Sequence, residues 1–142
     1  MPKTILIVDD EVNIARLVEM NLVRAGYGVA KALDGREGLE AASNLRPDLI
    51  LLDVTMPQMD GFEMLRLLKE DAALQHIPVI MVTARTQDAD ILRGKEGGAV
   101  HYLTKPINPL EMLSLIERVF NEKDPKTDES EGTDEQADTD RR

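Results

Sequence analysis

Acidic, hydroxyl and basic side chains stand at the ends of several short apolar runs in this sequence. Asp53 follows the apolar run 49–52 and precedes a turn signal made of Pro57 and the pair Asp60-Gly61. Ligands collect beyond the carboxyl ends of parallel strands, so a carboxylate there can act as a nucleophile or a metal ligand. The alternative is that Asp53 only ends a strand and starts a turn. Partners elsewhere in the chain decide between these interpretations.

Four side chains that follow other apolar runs are the candidate partners. Asp9 and Asp10 follow the first run, Thr83 ends a later run, and Lys105 closes the last. If the runs are parallel strands of one sheet, with the first and third strands adjacent, Asp9, Asp10 and Asp53 converge at one edge. Carboxylates that close repel one another, raise one another's pKa values and titrate as a coupled group. A divalent cation removes the repulsion, and all-oxygen ligation with some retained water favours Mg²⁺.

Phosphoryl transfer is the chemistry that this set of groups suits. With a cation present, Asp53 could attack an anionic phosphoryl group while Lys105 and Thr83 hold the transferred oxygens. Taken singly, each residue has a plainer role open to it. Asp9 or Asp10 could cap the first helix. Thr83 could be an ordinary strand-end residue, and Lys105 one more surface lysine. Their joint placement at the ends of different strands favours the chemical interpretation.

Strands and helices alternate along the chain and must position these residues. Apolar runs predict five strands, at 4–8, 27–33, 49–52, 79–82 and 100–103. Helical spacing and capping signals predict helices at about 13–25, 38–45, 62–70, 88–96 and 109–120, with Asn108 as the N-cap of the last. The alternation favours an α/β fold whose parallel sheet carries helices on both faces.

Length, composition and charge restrict the classes of function. The 142 residues favour one domain with extra length at an end, and the absence of cysteine excludes disulfides and thiolate metal sites. A net charge of −10 argues against direct binding to nucleic acid, and 3% aromatic residues supply no stacking platform. The sequence shows neither a signal-peptide layout nor an apolar run of membrane-spanning length. We therefore expect a cytoplasmic protein that does not contact membranes.

The end of the chain differs in composition from the rest. Residues 121–142 contain nine acidic and four basic residues. Their net charge of −5 is half of the total net charge of −10. We predict a domain over 1–121 and a disordered acidic tail over 122–142, because the tail cannot bury enough apolar surface to fold. The tail could be a solubilising end or an interaction segment. It lacks the apolar periodicity and basic residues of a helix-turn-helix output domain.

The sequence resembles the receiver domain of two-component response regulators over about residues 3–120. The resemblance rests on four blocks, which are Ile-Leu-Ile-Val-Asp-Asp-Glu at 5–11, Leu-Leu-Asp-Val-Thr-Met-Pro-Gln-Met-Asp-Gly at 51–61, Val-Ile-Met-Val-Thr-Ala at 79–84 and Tyr-Leu-Thr-Lys-Pro at 102–106. It implies a flavodoxin-like (βα)5 fold, a single domain with a doubly wound parallel sheet of strand order 2-1-3-4-5.

The resemblance also implies a phosphoacceptor and a metal site. Asp53 would accept a phosphoryl group from the phosphohistidine of a sensor histidine kinase or a phosphotransfer protein. Asp10 and Asp53 would bind Mg²⁺ directly, and Asp9 largely through water. Thr55 would contribute its backbone carbonyl. Such a protein is a signalling phosphoacceptor that promotes its own phosphorylation and dephosphorylation, rather than an enzyme that acts on other molecules.

A conformational switch is implied as well. Lys105 would pair with the phosphoryl oxygens, and a cis peptide bond before Pro106 would position it. Thr83 would move to hydrogen-bond the phosphoryl group, and Tyr102 would rotate inward. The altered surface would comprise the fourth predicted helix, the fifth strand and the last helix.

The sequence allows four functional hypotheses to be compared. The first is a stand-alone receiver that acts on a downstream protein target. This hypothesis is compatible with a homodimer that forms on phosphorylation. The second is a receiver fragment of a larger regulator. A third, a receiver-like scaffold that is not phosphorylated, would lack the acidic pair or Lys105, yet both are present. A fourth is a small enzyme such as a flavodoxin or an aspartyl phosphatase. The loop after the first strand is acidic and has no flavodoxin-type phosphate cradle.

Overall fold

A computed structural model describes residues 2–56, 58–84, 93 and 95–123 of the chain. Strands and helices alternate through most of this part. The strands are β1 (Thr4–Val8), β2 (Gly28–Ala32), β3 (Leu49–Asp53), β4 (Val79–Thr83) and β5 (His101–Thr104). The helices are α1 (Val12–Arg24), α2 (Gly35–Leu45), α3 (Gly61–Glu70) and a C-terminal helix (Pro109–Lys123).

All five strands lie parallel in one sheet, in the order β2-β1-β3-β4-β5. The predicted fold class and strand order are therefore confirmed. The strand bounds agree with the predicted ones within one residue at every end. β1, β3 and β4 are short, almost wholly buried apolar runs, which is typical of strands buried on both faces of a parallel sheet.

Burial of the central strands shows why their sequences are apolar throughout. Alternate residues of β1 and β3 join a hydrophobic cluster with the buried faces of α2 and α3, which includes Leu6, Val8, Ile50, Leu52, Ala42, Met64 and Leu65. The intervening residues Ile5, Ile7, Leu49 and Leu51 are at most 3% exposed. Both faces of the sheet are thus covered, so no alternation of apolar and polar residues appears in these strands.

Helix α1 ends where the sequence predicted, at a glycine. Gly26 has a φ of 101°. Its N–H donates to the carbonyl of Val23 at 3.0 Å, and the N–H of Tyr27 donates to the carbonyl of Leu22 at 3.1 Å. These two bonds form a Schellman motif, in which a residue in the left-handed conformation satisfies the last carbonyls of a helix. The chain then enters β2.

Helix α2 begins three residues earlier than predicted, at Gly35 instead of 38, so the prediction of its start was wrong. The pair Asp34-Gly35 had indicated a turn. In the structure the Asp34 side chain accepts a hydrogen bond from the N–H of Glu37 at 2.8 Å, and the Glu37 carboxylate accepts one from the N–H of Leu33 at 2.9 Å. This pair is a variant of the capping box in which the Glu37 carboxylate reaches the N–H of the residue before the N-cap Asp34, and it begins a helix where the sequence indicated a turn.

The C-terminal helix begins at Pro109, as predicted, and continues to Lys123. Its residues Met112, Ile116 and Val119 are buried at a spacing of four and three. The predicted fourth helix at 88–96 falls mostly outside the described residues, and so does most of the predicted tail. The boundary at 121 therefore stays a prediction. Within the described ranges, every helix is too short or too polar to cross a membrane.

Candidate functional site

The register of the sheet brings two of the predicted carboxylates side by side. Val8 of β1 pairs with Leu52 of β3. Asp9 and Asp53 are the next residues of these neighbouring strands, which lie about 4.8 Å apart in any sheet. The N–H of Asp9 donates to the carbonyl of Ala32 at 3.1 Å, so the chain still runs along β2 at this point. Sequence analysis predicted this juxtaposition for adjacent first and third strands, which is the order that the resemblance implied.

Asp10 completes a group of three carboxylates. One oxygen each from Asp9, Asp10 and Asp53 lies within 4.8 Å of the others. Asp9 and Asp53 are only 4% exposed, whereas Asp10 is exposed. The donors are all oxygen, and the exposed side leaves access for water, which fits the preference of Mg²⁺ for carboxylates together with retained waters. These three residues could therefore hold the divalent cation that the sequence predicted.

Thr55 lies at the same end of β3, in the loop that follows Asp53. Its backbone N–H donates a long hydrogen bond of 3.4 Å to Oδ1 of Asp53. This bond orients the carboxylate weakly, because hydrogen bonds lose strength at such lengths. The predicted ligation through the carbonyl of Thr55 stays a prediction.

Lys105 places its ammonium group among three carboxylates. Its Nζ lies 2.8 Å from Oε1 of Glu11, 3.4 Å from Oδ2 of Asp9 and 3.5 Å from Oδ1 of Asp53. The backbone N–H of Lys105 donates to the carbonyl of Thr83 at 2.7 Å, which holds the residue at the end of β4. The peptide bond from Lys105 to Pro106 is cis, the isomer that the resemblance implied.

The pKa of Asp53 is raised from 3.8 to about 7. Burial is the largest cause, and the charge of Asp9 adds to it, while Lys105 and the N–H of Thr55 act in the opposite direction. Burial also raises the pKa of Asp9, against the hydrogen bond from the N–H of Glu11 and the charge of Lys105. The sequence had indicated mutual repulsion as the cause. In the structure desolvation comes first and repulsion second.

The charge state of Lys105 is fixed by its neighbours. Burial alone would lower the pKa of its ammonium group, but the hydrogen bond to Glu11 and the charges of Asp53 and Asp9 outweigh burial, so the pKa is raised. Lys105 therefore carries a full positive charge at neutral pH. An anionic group on Asp53 would find a permanent cation beside it.

Gly61 fixes the loop that follows Asp53. A Cβ atom on Gly61 would collide with the carbonyl oxygen of Asp53 and would come within 2.9 Å of the Cα of Val54. The N–H of Gly61 donates to the carbonyl of Val54 at 2.8 Å, and the carboxylate of Asp60 caps α3 by accepting from the N–H of Glu63 at 2.9 Å. Sequence analysis identified Asp60-Gly61 only as a turn signal, whereas the structure shows that only glycine fits there.

Thr83 and Tyr102 share one face of the sheet. Met81 pairs with Tyr102, and Thr83 pairs with Thr104, so Thr83 and Tyr102 are neighbours offset by two residues. Thr83 is 1% exposed. Tyr102 is half-buried and packs against the hydrophobic cluster described above. A change at Thr83 could reach Tyr102 along this face, but the switch itself stays a prediction.

Glu11 is a site residue that sequence analysis did not select. It is the third acid of the run Asp9-Asp10-Glu11, and its position directly after the predicted ligands was the available signal. It makes the shortest contact to the ammonium of Lys105, from 94 residues away in the chain. Sequence spacing gives no means of foreseeing such a contact.

Comparison with known proteins places these residues in a well-populated family. The family model of the response regulator receiver domain matches residues 5–117. The chain is 39% identical over 139 residues to the alkaline phosphatase synthesis transcriptional regulatory protein PhoP of Bacillus subtilis, covering 93% of this chain and 57% of PhoP. It is 44% identical over 124 residues to the DNA-binding dual master transcriptional regulator RpaA of Synechocystis, covering 87% of this chain and 51% of RpaA.

Solved structures give the same result at the level of the fold. The chemotaxis protein CheY4 of Vibrio cholerae superimposes with a TM-score of 0.80 at 38% identity, covering 84% of this chain and 99% of CheY4. A CheY-like receiver domain protein from Methanospirillum hungatei superimposes with a TM-score of 0.78 at 31% identity, covering 94% of this chain. The chain thus spans about half the length of PhoP and RpaA but nearly all of CheY4.

Proposed function

Because this chain belongs to the response regulator receiver domain family, we propose that Asp53 accepts a phosphoryl group in a Mg²⁺-dependent reaction. One observation supports this more than any other. The buried carboxylate of Asp53 has two further carboxylates within 4.8 Å and the ammonium of Lys105 at 3.5 Å. A nucleophile, a cation site and a fixed positive charge are what in-line phosphoryl transfer requires.

The proposed reaction is a displacement at phosphorus. A carboxylate oxygen of Asp53 forms a bond to the phosphorus of a phosphohistidine while the phosphorus–nitrogen bond breaks. The electron pair of that bond stays on the imidazole nitrogen of the donor, which takes up a proton. A bound Mg²⁺ would supply charge neutralisation for the carboxylates and the phosphoryl oxygens. Asp9, Asp10 and Asp53 would hold it, with Thr55 contributing its carbonyl.

Lys105 and Thr83 act on the product of this reaction. The ammonium of Lys105 moves from the carboxylates to a phosphoryl oxygen, to which the hydroxyl of Thr83 also donates a hydrogen bond. Tyr102 then follows Thr83 inward on the shared face of the sheet. The surface proposed to change is that of the fourth predicted helix, the fifth strand and the last helix, and this surface presents the signal to a protein target.

The proposed partners follow from this chemistry. The phosphoryl donor is a sensor histidine kinase or a phosphotransfer protein, and the recipient of the signal is a downstream protein, with a phosphorylation-dependent homodimer as a compatible form. We propose no direct contact with nucleic acid for the domain over 1–121, although PhoP and RpaA are named as transcriptional regulators. A stand-alone receiver and a receiver fragment both remain open, and the cytoplasmic location stays part of the proposal.

Intact-mass spectrometry after incubation with acetyl phosphate and Mg²⁺ tests the phosphoacceptor. We expect the wild-type chain to gain one phosphoryl group, and Asp53→Asn to gain none. Asp60→Asn is a matched control, because asparagine caps a helix as well as aspartate does and Asp60 lies outside the site. An unmodified wild-type chain, or a phosphorylated Asp53→Asn chain, would refute the proposal.

Two further variants separate the roles of the charged residues. Asp10→Ala removes a proposed metal ligand and should weaken Mg²⁺ binding by at least tenfold, a typical loss for a ligand or its support. Lys105→Ala should not weaken Mg²⁺ binding, but should prevent the response to phosphorylation. Isothermal titration calorimetry measures the first effect. Equal losses of Mg²⁺ affinity in the two variants would contradict the assigned roles.

A further inference from the structure

Lys105 does not make its closest contact with the proposed phosphoacceptor. Its Nζ is 2.8 Å from Glu11, against 3.4 Å from Asp9 and 3.5 Å from Asp53. The side chain of Glu11 is 56% exposed, whereas Asp9 and Asp53 are buried. The ammonium is therefore drawn toward the rim of the site by a residue that belongs to neither the proposed ligands nor the nucleophile.

We propose that Glu11 is a positioning residue. It determines whether the ammonium of Lys105 lies near the carboxylates or near the phosphoryl group. This inference rests on the proposed function of Asp53. By holding the ammonium at the rim, Glu11 eases the entry of Mg²⁺ and opposes the engagement of Lys105 with the phosphorylated aspartate. The two effects have opposite signs, which makes the proposal testable.

The first effect concerns Mg²⁺ binding. The oxygens of Asp9 and Asp53 that lie 3.4 and 3.5 Å from Lys105 belong to the same carboxylates that would hold the cation. Without the charge of Glu11, the ammonium would settle closer to these buried carboxylates, where attraction is stronger than at the surface. Mg²⁺ would then compete with a more tightly held ammonium at a site of lower negative charge. Removal of the Glu11 charge should weaken Mg²⁺ binding.

The second effect concerns the phosphoryl group. Lys105 must leave Glu11 to contact a phosphoryl oxygen on Asp53, so their hydrogen bond opposes that step. Partly exposed ion pairs contribute little, which corresponds to about a 1.4-fold to fivefold change in an equilibrium. Since Lys105 itself is only 12% exposed, its ammonium has few positions open to it other than these carboxylates. Loss of the Glu11 charge should therefore release it toward the phosphoryl group.

Calorimetry on Glu11→Gln tests both effects in the full chain. Glutamine keeps the size of the side chain and an acceptor oxygen but removes the charge. The two measurements are the Kd for Mg²⁺ and, at saturating Mg²⁺, the Kd for beryllofluoride, a tetrahedral mimic of the phosphoryl group. Glu40→Gln on the exposed side of α2 is the control for a change in net charge. Urea denaturation of each variant verifies that it is folded.

The expected result is a divergence between the two constants. In Glu11→Gln the affinity for Mg²⁺ should fall about two- to fivefold while the affinity for beryllofluoride rises by a similar factor. Glu40→Gln should match the wild type in both. Unchanged beryllofluoride binding, or a loss of both affinities together, would overturn the proposal for Glu11 while leaving the proposed function intact. A wild-type chain that binds Mg²⁺ but not beryllofluoride would refute the proposed function itself, and this inference with it.

Discussion

Replacement of Asp53 with asparagine should stabilise the fold, and the gain should grow as the pH rises. The pKa of Asp53 is raised from 3.8 to about 7, mainly by burial. The native state therefore binds the Asp53 proton more tightly than the unfolded state does. Stability falls with rising pH wherever the native state carries more protons. Asparagine has the shape of the neutral acid and does not incur this cost.

The size of the effect follows from the interval between the two pKa values. At 1.36 kcal/mol for each pKa unit, the interval from 3.8 to about 7 corresponds to a cost of ~4 kcal/mol that is fully present above pH 7. Below the unfolded value of 3.8 both states are protonated and the cost vanishes. Between pH 5 and pH 8 the advantage of the asparagine variant should therefore increase by about 2.6 kcal/mol.

Urea denaturation of both proteins at pH 5 and pH 8, with a chelator in all samples, measures this difference. The control is Glu40→Gln, which makes the same change of charge at an exposed position of α2. The reasoning is wrong if the advantage of Asp53→Asn is equal at the two pH values. It is also wrong if the variant is less stable than the wild type at pH 8, since the buried charge would then be net stabilising.

Three further predictions concern the same unit of structure. Mg²⁺ must displace the proton of Asp53, so its affinity should rise several-fold from pH 6 to pH 8 in calorimetry, and a flat profile would contradict the raised pKa. Gly61→Ala would press a methyl group against the carbonyl of Asp53 and should lower the free energy of unfolding by ~2 kcal/mol. If Gly61→Ala unfolds at the same urea concentration as the wild type, the loop after Asp53 accommodates the methyl group without loss of stability. Asp34→Ala removes the cap of α2 and should lose about 1 kcal/mol in the same assay, whereas Asp34→Asn should lose far less; equal losses would rule out capping as the cause.

Much of the fold could be predicted because its signals are local and strong. The central strands β1, β3 and β4 are continuous apolar runs. Gly26 ends α1 through the two backbone hydrogen bonds of a Schellman motif. The start of α2 was missed, although the spacing of Asp34 and Glu37 is that of a capping box. The Asp34-Gly35 pair was interpreted as a turn because a turn and a helix N-terminus favour the same residues.

The site could be predicted in outline but not in its energetics. Strand ends that share one edge bring Asp9, Asp10 and Asp53 together, so strand order alone suffices for their convergence. The contact between Lys105 and Glu11 depends instead on the rotamers of two long side chains. It also depends on the burial of the neighbouring carboxylates. Burial raises the pKa of Asp53 more than the charge of Asp9 does. The extent of burial depends on the folded structure and cannot be obtained from the spacing of residues in the sequence.

The ammonium of Lys105 reaches from the end of β5 to Glu11 beyond β1, although β3 and β4 separate those two strands in the sheet. The charged groups of this site thus come from both ends of the domain and assemble only when every intervening strand is in place. A chain still emerging from the ribosome carries Asp53 long before it carries Lys105, and so has a nucleophile without its supporting cation. The complete set of charged groups therefore forms only after the chain has been made through Lys105 and has folded.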